Sequence, residues 1–172
     1  MARIQPYRDP IVAKVIKFLE DNGPSKLRGR YIHGDVLLPN KTELPLCYVT
    51  KDQVAVTSAN NMEDEHTQAL VATIILDHTQ DLKEAYDLVG GISELWEFIE
   101  ARDPVTNQLL PTTFLYQLRL QQQLEDKFWI GLGTPVTVNY GMGIERRGPG
   151  IFSIEATVRF TVRLHLPNPE FA

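Results

Sequence analysis

The last part of the chain alternates strictly between apolar and polar residues, and this pattern limits the fold more than any other feature. From Phe152 to Leu166 every second residue is apolar. The residues between them are Ser153, Glu155, Thr157, Arg159, Thr161, Arg163 and His165. Such alternation is typical of a strand with one buried face and one solvated face. At about 3.3 Å per residue the strand would extend roughly 50 Å, far beyond the usual strand of about 5–6 residues. A small monomeric domain rarely needs so long a strand, so the pattern indicates an architectural subunit whose strands reach a neighbour.

Size, charge and cysteine content limit the classes to which the chain can belong. With 172 residues, 43% of them hydrophobic, it can form one domain with a substantial core. A net charge of −5 argues against a general nucleic-acid-binding protein, which usually carries a basic stripe. Cys47 is the only cysteine, so no intrachain disulfide can form, and we expect synthesis in a reducing, intracellular compartment.

Neither a signal peptide nor a membrane span is expected. Residues 1–10 lack the apolar stretch of a signal peptide. The longest apolar run, residues 69–76, is far shorter than the about 20 residues that cross a bilayer.

Two segments carry the periodicity of amphipathic helices, and a long loop follows the first. The first helix is predicted from Pro10 to Asn22, with Asp9 as its N-cap. The second is predicted from Asp81 to Arg102, with apolar residues spaced alternately by three and four. Residues 24–45 are rich in proline, glycine and basic residues, which predicts a loop with at most short strand pieces. This loop is either a solvated connection or a partner-contacting segment that becomes ordered on assembly.

The strand pattern divides into a central part and a terminal part. Residues 46–57 read as two short apolar stretches around a polar turn at 51–53, and 58–66 as a polar, acidic loop. A strong strand is predicted over residues 68–78, with both faces covered because apolar residues lie on both. Residues 114–130 fit either a helix or a strand, and their spacing by four favours a helix.

The terminal part predicts a hairpin. Residues 134–144 alternate and indicate a strand, and the turn at 145–150 leads back into the long terminal strand. We therefore predict an α+β fold with helices packed on one face of a mostly antiparallel sheet and a long C-terminal β-hairpin. The chain is predicted to be a single domain, 1–172, with a long loop at 24–45 and the hairpin at 134–166.

The sequence contains no recognisable catalytic or cofactor-binding motif. The Gly-x-Gly sequences at 131–133 and 141–143 do not continue into a phosphate-binding motif and indicate turns or bulges. The four histidines lack metal-ligand spacing, and Cys47 lies in an apolar stretch typical of a buried structural thiol. We therefore predict no enzymatic activity, no cofactor and no metal.

Two charged segments of opposite sign are candidates for contacts between subunits. Glu63, Asp64 and Glu65 are consecutive and have polar neighbours, which indicates a solvated loop rather than catalytic carboxylates. Arg146 and Arg147 lie at the predicted hairpin tip. In a head-to-tail ring each subunit presents two different surfaces, and opposite charges help to set their register. Either the tip of one subunit docks near the acidic loop of its neighbour, or the two loops are unrelated and solvated.

The order of these segments resembles the tail terminator, or tail-completion, proteins of tailed bacteriophages. The resemblance runs through most of the chain and comprises the amphipathic helix 10–22, a first strand at 44–49, a polar loop at 60–66, a long strand at 67–78, the capped helix 81–102 and the closing hairpin. The segment 103–133 departs from the family's pattern because it is longer and more polar.

This resemblance implies a mechanical role. Proteins of that family are small α+β subunits that form a hexameric ring, cap the finished tail tube and end its polymerisation. The ring also presents a surface to the head-side connector proteins, and DNA passes through its lumen without specific binding. A negative net charge is consistent with such a passage. The implied location is the tail or neck of the virion, after synthesis in the host cytoplasm, with no cofactor.

Three other interpretations remain open at the level of sequence. A head–tail joining or neck protein would bind the portal side rather than the tube. A small hydrolase with an acidic site at residues 63–65 would have an enclosed pocket and lose activity in Asp64→Asn. An oligomeric binding module unconnected with viruses would form a small closed oligomer with a concave apolar pocket.

Overall fold

The computed structural model describes residues 7–34, 44–77, 88–120, 123–131, 134–141, 145–148 and 151–170. Within these ranges the chain has a mixed α/β fold with three helices and an antiparallel-rich sheet. The helices are α1 (Pro10–Asn22), α2 (Leu88–Glu100) and α3 (Phe114–Arg119). The strands are β1 (Tyr31–His33), β2 (Leu46–Ser58), β3 (Glu63–Asp77), β4 (Gln123–Glu125), β5 (Phe128–Ile130), β6 (Thr137–Tyr140), β7 (Glu145–Gly148) and β8 (Ile151–Pro167).

The sheet is organised around two long central strands. Its strand order is β1-β2-β3-β8-β5-β4, and β6 and β7 also pair with β8. β3 and β8 pair antiparallel without a break from Glu63 opposite Pro167 to Asp77 opposite Ser153. β1 and β2 are parallel, whereas the other strand pairs are antiparallel. The prediction of one long terminal strand is confirmed.

The main core lies where the three helices meet the sheet. α1 contributes Val12, Val15, Phe18 and Leu19, α2 contributes Leu95, Phe98 and Ile99, and α3 contributes Phe114 and Leu118. The apolar residues of β8 from Ile154 to Leu164 belong to the same core. Leu166 extends the alternation but is 38% exposed, because it lies beyond the part of the sheet that the helices cover.

Among the described residues, apolar cover on the opposite face of the sheet lies at one end. Leu44, Leu46, Tyr48 and Ile75 form a second, small apolar cluster there, with Ile32 packed against it. Farther along β3, Val71 and Ala69 on that face are only half-buried. The prediction that this strand is covered on both faces therefore holds only near its C-terminal end.

α1 begins and ends as its sequence predicts. The Asp9 carboxylate accepts hydrogen bonds from the N–H groups of Ile11 (2.9 Å) and Val12 (3.2 Å), as an N-cap does. The N–H of Gly23 donates to the carbonyl oxygen of Leu19 (2.8 Å) and closes the last turn. Local capping chemistry and an apolar stripe are together sufficient to define this helix.

Two central predictions are wrong. Residues 51–53 do not form a turn, because β2 is one continuous strand with a register shift between Lys51 and Gln53. The shift absorbs an extra residue as a β-bulge does, while pairing with β3 continues on both sides. Residues 63–65 are not a loop, since β3 already begins at Glu63 and pairs there with both β2 and β8.

Two further segments differ from their predictions. In residues 114–130 only α3 is helical, and two strands follow, because β5 gains hydrogen-bonding partners along β8. Residues 145–148 form strand β7 rather than a turn. The described part of the loop predicted at 24–45 agrees with its prediction, since it contains only a 3₁₀ turn at Ser25–Leu27 and the short strand β1; residues 35–43 lie outside the described ranges. Residues 78–87, which include the predicted start of the second helix, also lie outside them.

Candidate interaction surface

Part of the sheet extends past the helices as an arm. We define the arm as Lys51–Ser58 of β2, Glu63–Thr67 of β3 and Arg163–Pro167 of β8; of these residues, Leu164 still belongs to the main core. Residues 46–49 of β2 are buried, whereas 51–58 are exposed throughout. The connecting turn is held by Asn60, whose side-chain oxygen accepts hydrogen bonds from the N–H groups of Met62 (2.8 Å) and Glu63 (3.0 Å). The tip is therefore an ordered turn between two paired strands.

One face of the arm carries exposed apolar side chains, which we call the apolar shelf: Val54, Val56, Met62 and Leu166. Val54 lies opposite Gln68 and Val56 opposite His66 in the β2–β3 register, on the face of the sheet that carries the main core. Their exposed fractions are 48% and 51%, and those of Met62 and Leu166 are 67% and 38%. Val54 and Val56 are neighbours on one face of β2, whereas Asp64 and His66 of β3 lie between them and Leu166. Exposed apolar side chains grouped on one face of a projecting strand pair are candidates for an interaction site.

The other face of the arm carries a network of charged side chains. Glu65 accepts from His165 Nε2 at 3.2 Å and lies 3.5 Å from the Arg163 guanidinium nitrogen Nε. Glu63 is hydrogen-bonded to the ammonium group of Lys127 and lies 3.9 Å from His165 Nδ1. The hydrogen bond from Lys127 holds the pKa of Glu63 below its ordinary value, and the same bond raises the pKa of Lys127. The network ties β3 and β8 to the β4–β5 turn.

The predicted interface residues thus have different surroundings. Glu63 and Glu65 face partners within the chain, whereas Asp64 lies on the shelf side and accepts only a long hydrogen bond, 3.4 Å, from the Asn168 side chain. Arg146 lies in β7 opposite Phe152, and Arg147 lies at the register shift of the same strand. Docking of the arginines on a neighbour's acidic segment stays a prediction.

A groove lies beside α1, at the β1 side of the sheet. It has a volume of about 720 Å³ and is lined by Tyr7, Arg8, Ala13, Ile16, Tyr31, Ile32, His33 and Gly34. The Tyr31 ring packs against Phe114 with ring centres 6.4 Å apart, and its hydroxyl donates to the carbonyl oxygen of Leu19 at 3.4 Å. Burial raises the pKa of Tyr31, so the phenol is neutral. This side of the groove is therefore fixed in position before any partner binds.

The other wall of the groove is held by charged residues. The N–H of Asp9 donates to His33 Nε2 at 2.9 Å, and the Asp9 carboxylate is paired with Lys51 of β2. Partial burial acts to raise the pKa of Asp9, but hydrogen bonds from Lys51 and from the first turn of α1 outweigh it and lower the pKa. The start of α1 is thereby fixed to β1 and to the base of the arm.

Sequence reasoning missed both surfaces for different reasons. The shelf has a local signal, since residues 53–58 contain neither a charge nor a proline although they form an exposed strand segment. The groove has no such signal, because it is assembled from the residues before α1, from α1 itself and from β1. Only folding brings these segments together.

The described residues contain neither a cluster of metal ligands nor an exposed thiol. Among them, no group of three or more histidine, cysteine, aspartate or glutamate side chains is arranged to hold a metal ion. Cys47 is fully buried, and burial raises the pKa of its thiol well above the ordinary value, which disfavours the reactive thiolate. Within the same ranges, no helix has the length and apolar character that crossing a membrane would require.

No protein-family model matches this chain, and no curated protein sequence is significantly similar to it.

Proposed function

We propose that this protein is a structural subunit of a bacteriophage virion that forms a ring of six copies, in the manner of tail terminators, at the end of the tail tube. The ring ends tube polymerisation and joins the tail to the head-side connector proteins. DNA passes through its lumen without specific binding, and the subunit needs no cofactor. The finer fold expected for this class, with helices on one face and a terminal hairpin, is part of the proposal.

The observation that carries the proposal is the arm with its apolar shelf. A monomeric enzyme has no evident use for a strand pair that continues past its own core and exposes four large apolar side chains. A subunit that must contact neighbours and a tube does have such a use, because subunit interfaces bury apolar surface. The antiparallel pairing of β6 and β7 with β8, and the shared core of the three helices, support the fold assignment.

Two further observations are compatible with a mechanical role. The charge network on the other face of the arm joins β3, β8 and the β4–β5 turn, and it stiffens an element that has little core of its own. The net charge of −5 disfavours tight binding to a passing duplex, since phosphate contacts need basic side chains.

The test is the mass of the purified protein by light scattering, combined with negative-stain images and sedimentation with isolated tail tubes. A ring with a central hole, and co-sedimentation with tubes that lack their own terminator, are the expected results. Binding to heads but not to tubes would reassign the protein to head–tail joining. If the protein binds neither heads nor tubes, the proposal is wrong.

A further inference from the structure

We infer that the apolar shelf of one copy of this chain docks into the groove beside α1 of a second copy, so that subunits join head to tail. The inference rests on the proposed function, because it names the contact that would build the ring. It assigns the shelf to one occupant, another copy of the same chain, and it does not involve the arginine-rich tip considered above.

The shelf has the properties of a surface that becomes buried when subunits assemble. Residues 53–58 form an uncharged, proline-free strand segment, and natural proteins usually protect such strands with lysine, proline or a bulge. Here Lys51 and the bulge stand only at the base of the arm. Among the described residues, β1 pairs with β2 only as far as Val49, so the outer edge beyond it has no strand partner.

The groove has the size and lining that such a surface needs. Its volume of about 720 Å³ is large enough for several aliphatic side chains, and Ile16, Tyr31 and Ile32 provide apolar walls. Tyr7 stands at the rim and is 80% exposed. The Tyr31 ring and hydroxyl are already held by Phe114 and Leu19. This wall of the groove therefore loses little conformational entropy when the shelf docks.

The charges beside the two surfaces are complementary. Asp64 lies on the shelf side of β3, and Arg8 lines the groove. Within the described part of the chain neither is in an ion pair, whereas the neighbouring charges Lys51, Asp9 and Glu63 are all paired internally. One complementary pair beside an apolar contact sets orientation more than affinity.

The separation of the two surfaces favours docking between copies. Val56 lies seven residues along β2 from Val49, the last residue that pairs with β1, which corresponds to about 23 Å of strand. An arm whose strands are paired throughout cannot fold back over that distance onto its own groove. Two different surfaces that fit each other on separate copies make a heterologous contact, which closes into a ring when the rotation allows it.

The experiment compares two lysine substitutions on the same exposed strand. Val56→Lys places an ammonium group on the shelf, and Ala55→Lys places one on the opposite face, where it serves as the matched control. Both positions are exposed, so circular dichroism should show that both variants fold. We expect Val56→Lys to raise the concentration needed for assembly by about tenfold or more, because the contact would bury an unpaired charge, and Ala55→Lys to leave it nearly unchanged.

A charge exchange then tests the orientation. Asp64→Lys and Arg8→Glu should each weaken assembly, and an equimolar mixture of the two variants should restore it, since every mixed contact regains opposite charges. Assembly that is unaffected by Val56→Lys, a mixture that does not recover, or a wild-type particle of only one or two copies would each overturn the inference. A ring that forms regardless of these variants and binds tubes leaves the proposed function intact. Failure to bind tubes or heads refutes that function whatever the variants do.

Discussion

Replacing Gly131 by alanine adds only one methyl group, but it should destabilise the protein strongly. Gly131 follows β5 with φ of +69°, a left-handed conformation that costs a non-glycine residue about 1–2 kcal/mol. An added Cβ would clash with the backbone oxygen of Leu118 and would lie 3.1 Å from its carbonyl carbon. Contacts this short to backbone cannot be relieved by a change of rotamer.

The two sides of this contact are both anchored. Leu118 and Phe114 of α3 are fully buried, so the helix cannot retreat without opening voids in the core. On the other side the N–H of Gly131 donates to the carbonyl oxygen of Thr161 in β8 at 2.8 Å. Forced overpacking of a core costs about 1–3 kcal/mol, so with the backbone strain the total is about 2–5 kcal/mol.

Gly29 provides the matched control. Its φ of +72° is nearly the same, but an added Cβ there meets no heavy atom within 4 Å. Gly29→Ala should therefore cost only the backbone strain, about 1–2 kcal/mol. The difference between the two variants measures the clash alone.

Urea unfolding at one fixed protein concentration gives the two free energies, because assembly would otherwise contribute to apparent stability. With a slope of about 1–3 kcal/mol per molar urea, the expected gap is a midpoint difference of about 1 M. Equal effects of the two alanine substitutions, within about 0.5 kcal/mol, would refute the close approach of Gly131 to α3.

Three further changes test other parts of the structure. Asp9→Ala removes the N-cap of α1 and should lower the free energy of unfolding by about 1–2 kcal/mol. Asp9→Asn should retain most of the stability that the cap contributes, and urea unfolding of the two variants measures the difference. Phe160→Ala empties a fully buried site and should cost about 3–5 kcal/mol in the same assay, and a loss below about 1 kcal/mol would contradict its place in the core. Because the pKa of Glu63 is lowered by Lys127, the pair stabilises the fold above the carboxyl group's ordinary pKa and loses this effect as pH falls through the folded value. The melting temperature of Lys127→Gln should therefore fall less steeply than that of the wild type in acid, and parallel curves would rule out a role for the pair.

The two faces of the arm differ in chemistry: one carries paired charges and the other carries exposed apolar side chains. On one face, charged side chains of β3 and β8 neutralise each other, and this joins strands that are 100 residues apart in sequence. On the other face, apolar side chains find no cover among the described residues beyond the helices. Such a division is expected where a projecting element must be stiff without a core and must also bind.

Features that depend on neighbours in the chain were predictable from sequence. The buried face of β8 follows from its alternation, because side chains in a strand point to opposite faces in turn. α1 follows from Asp9, Pro10 and an apolar stripe, since caps and periodicity act within a few residues. The long strand also indicated in advance that the protein would be built around an extended sheet.

Features that depend on distant pairing were decided only by the tertiary structure. Lys51–Gln53 has the composition of a turn, but it forms a bulge because β3 offers a continuous ladder on both sides. Residues 123–130 have helical spacing, but β8 presents an unpaired edge that makes strands more favourable. The sequence of the acidic residues at the start of β3 is typical of a solvated loop. In the folded protein, however, they are paired with basic side chains of β8 and with Lys127, which lies next to β5. The groove likewise exists only when α1 and β1 meet, because no single segment contains enough of its wall to reveal it.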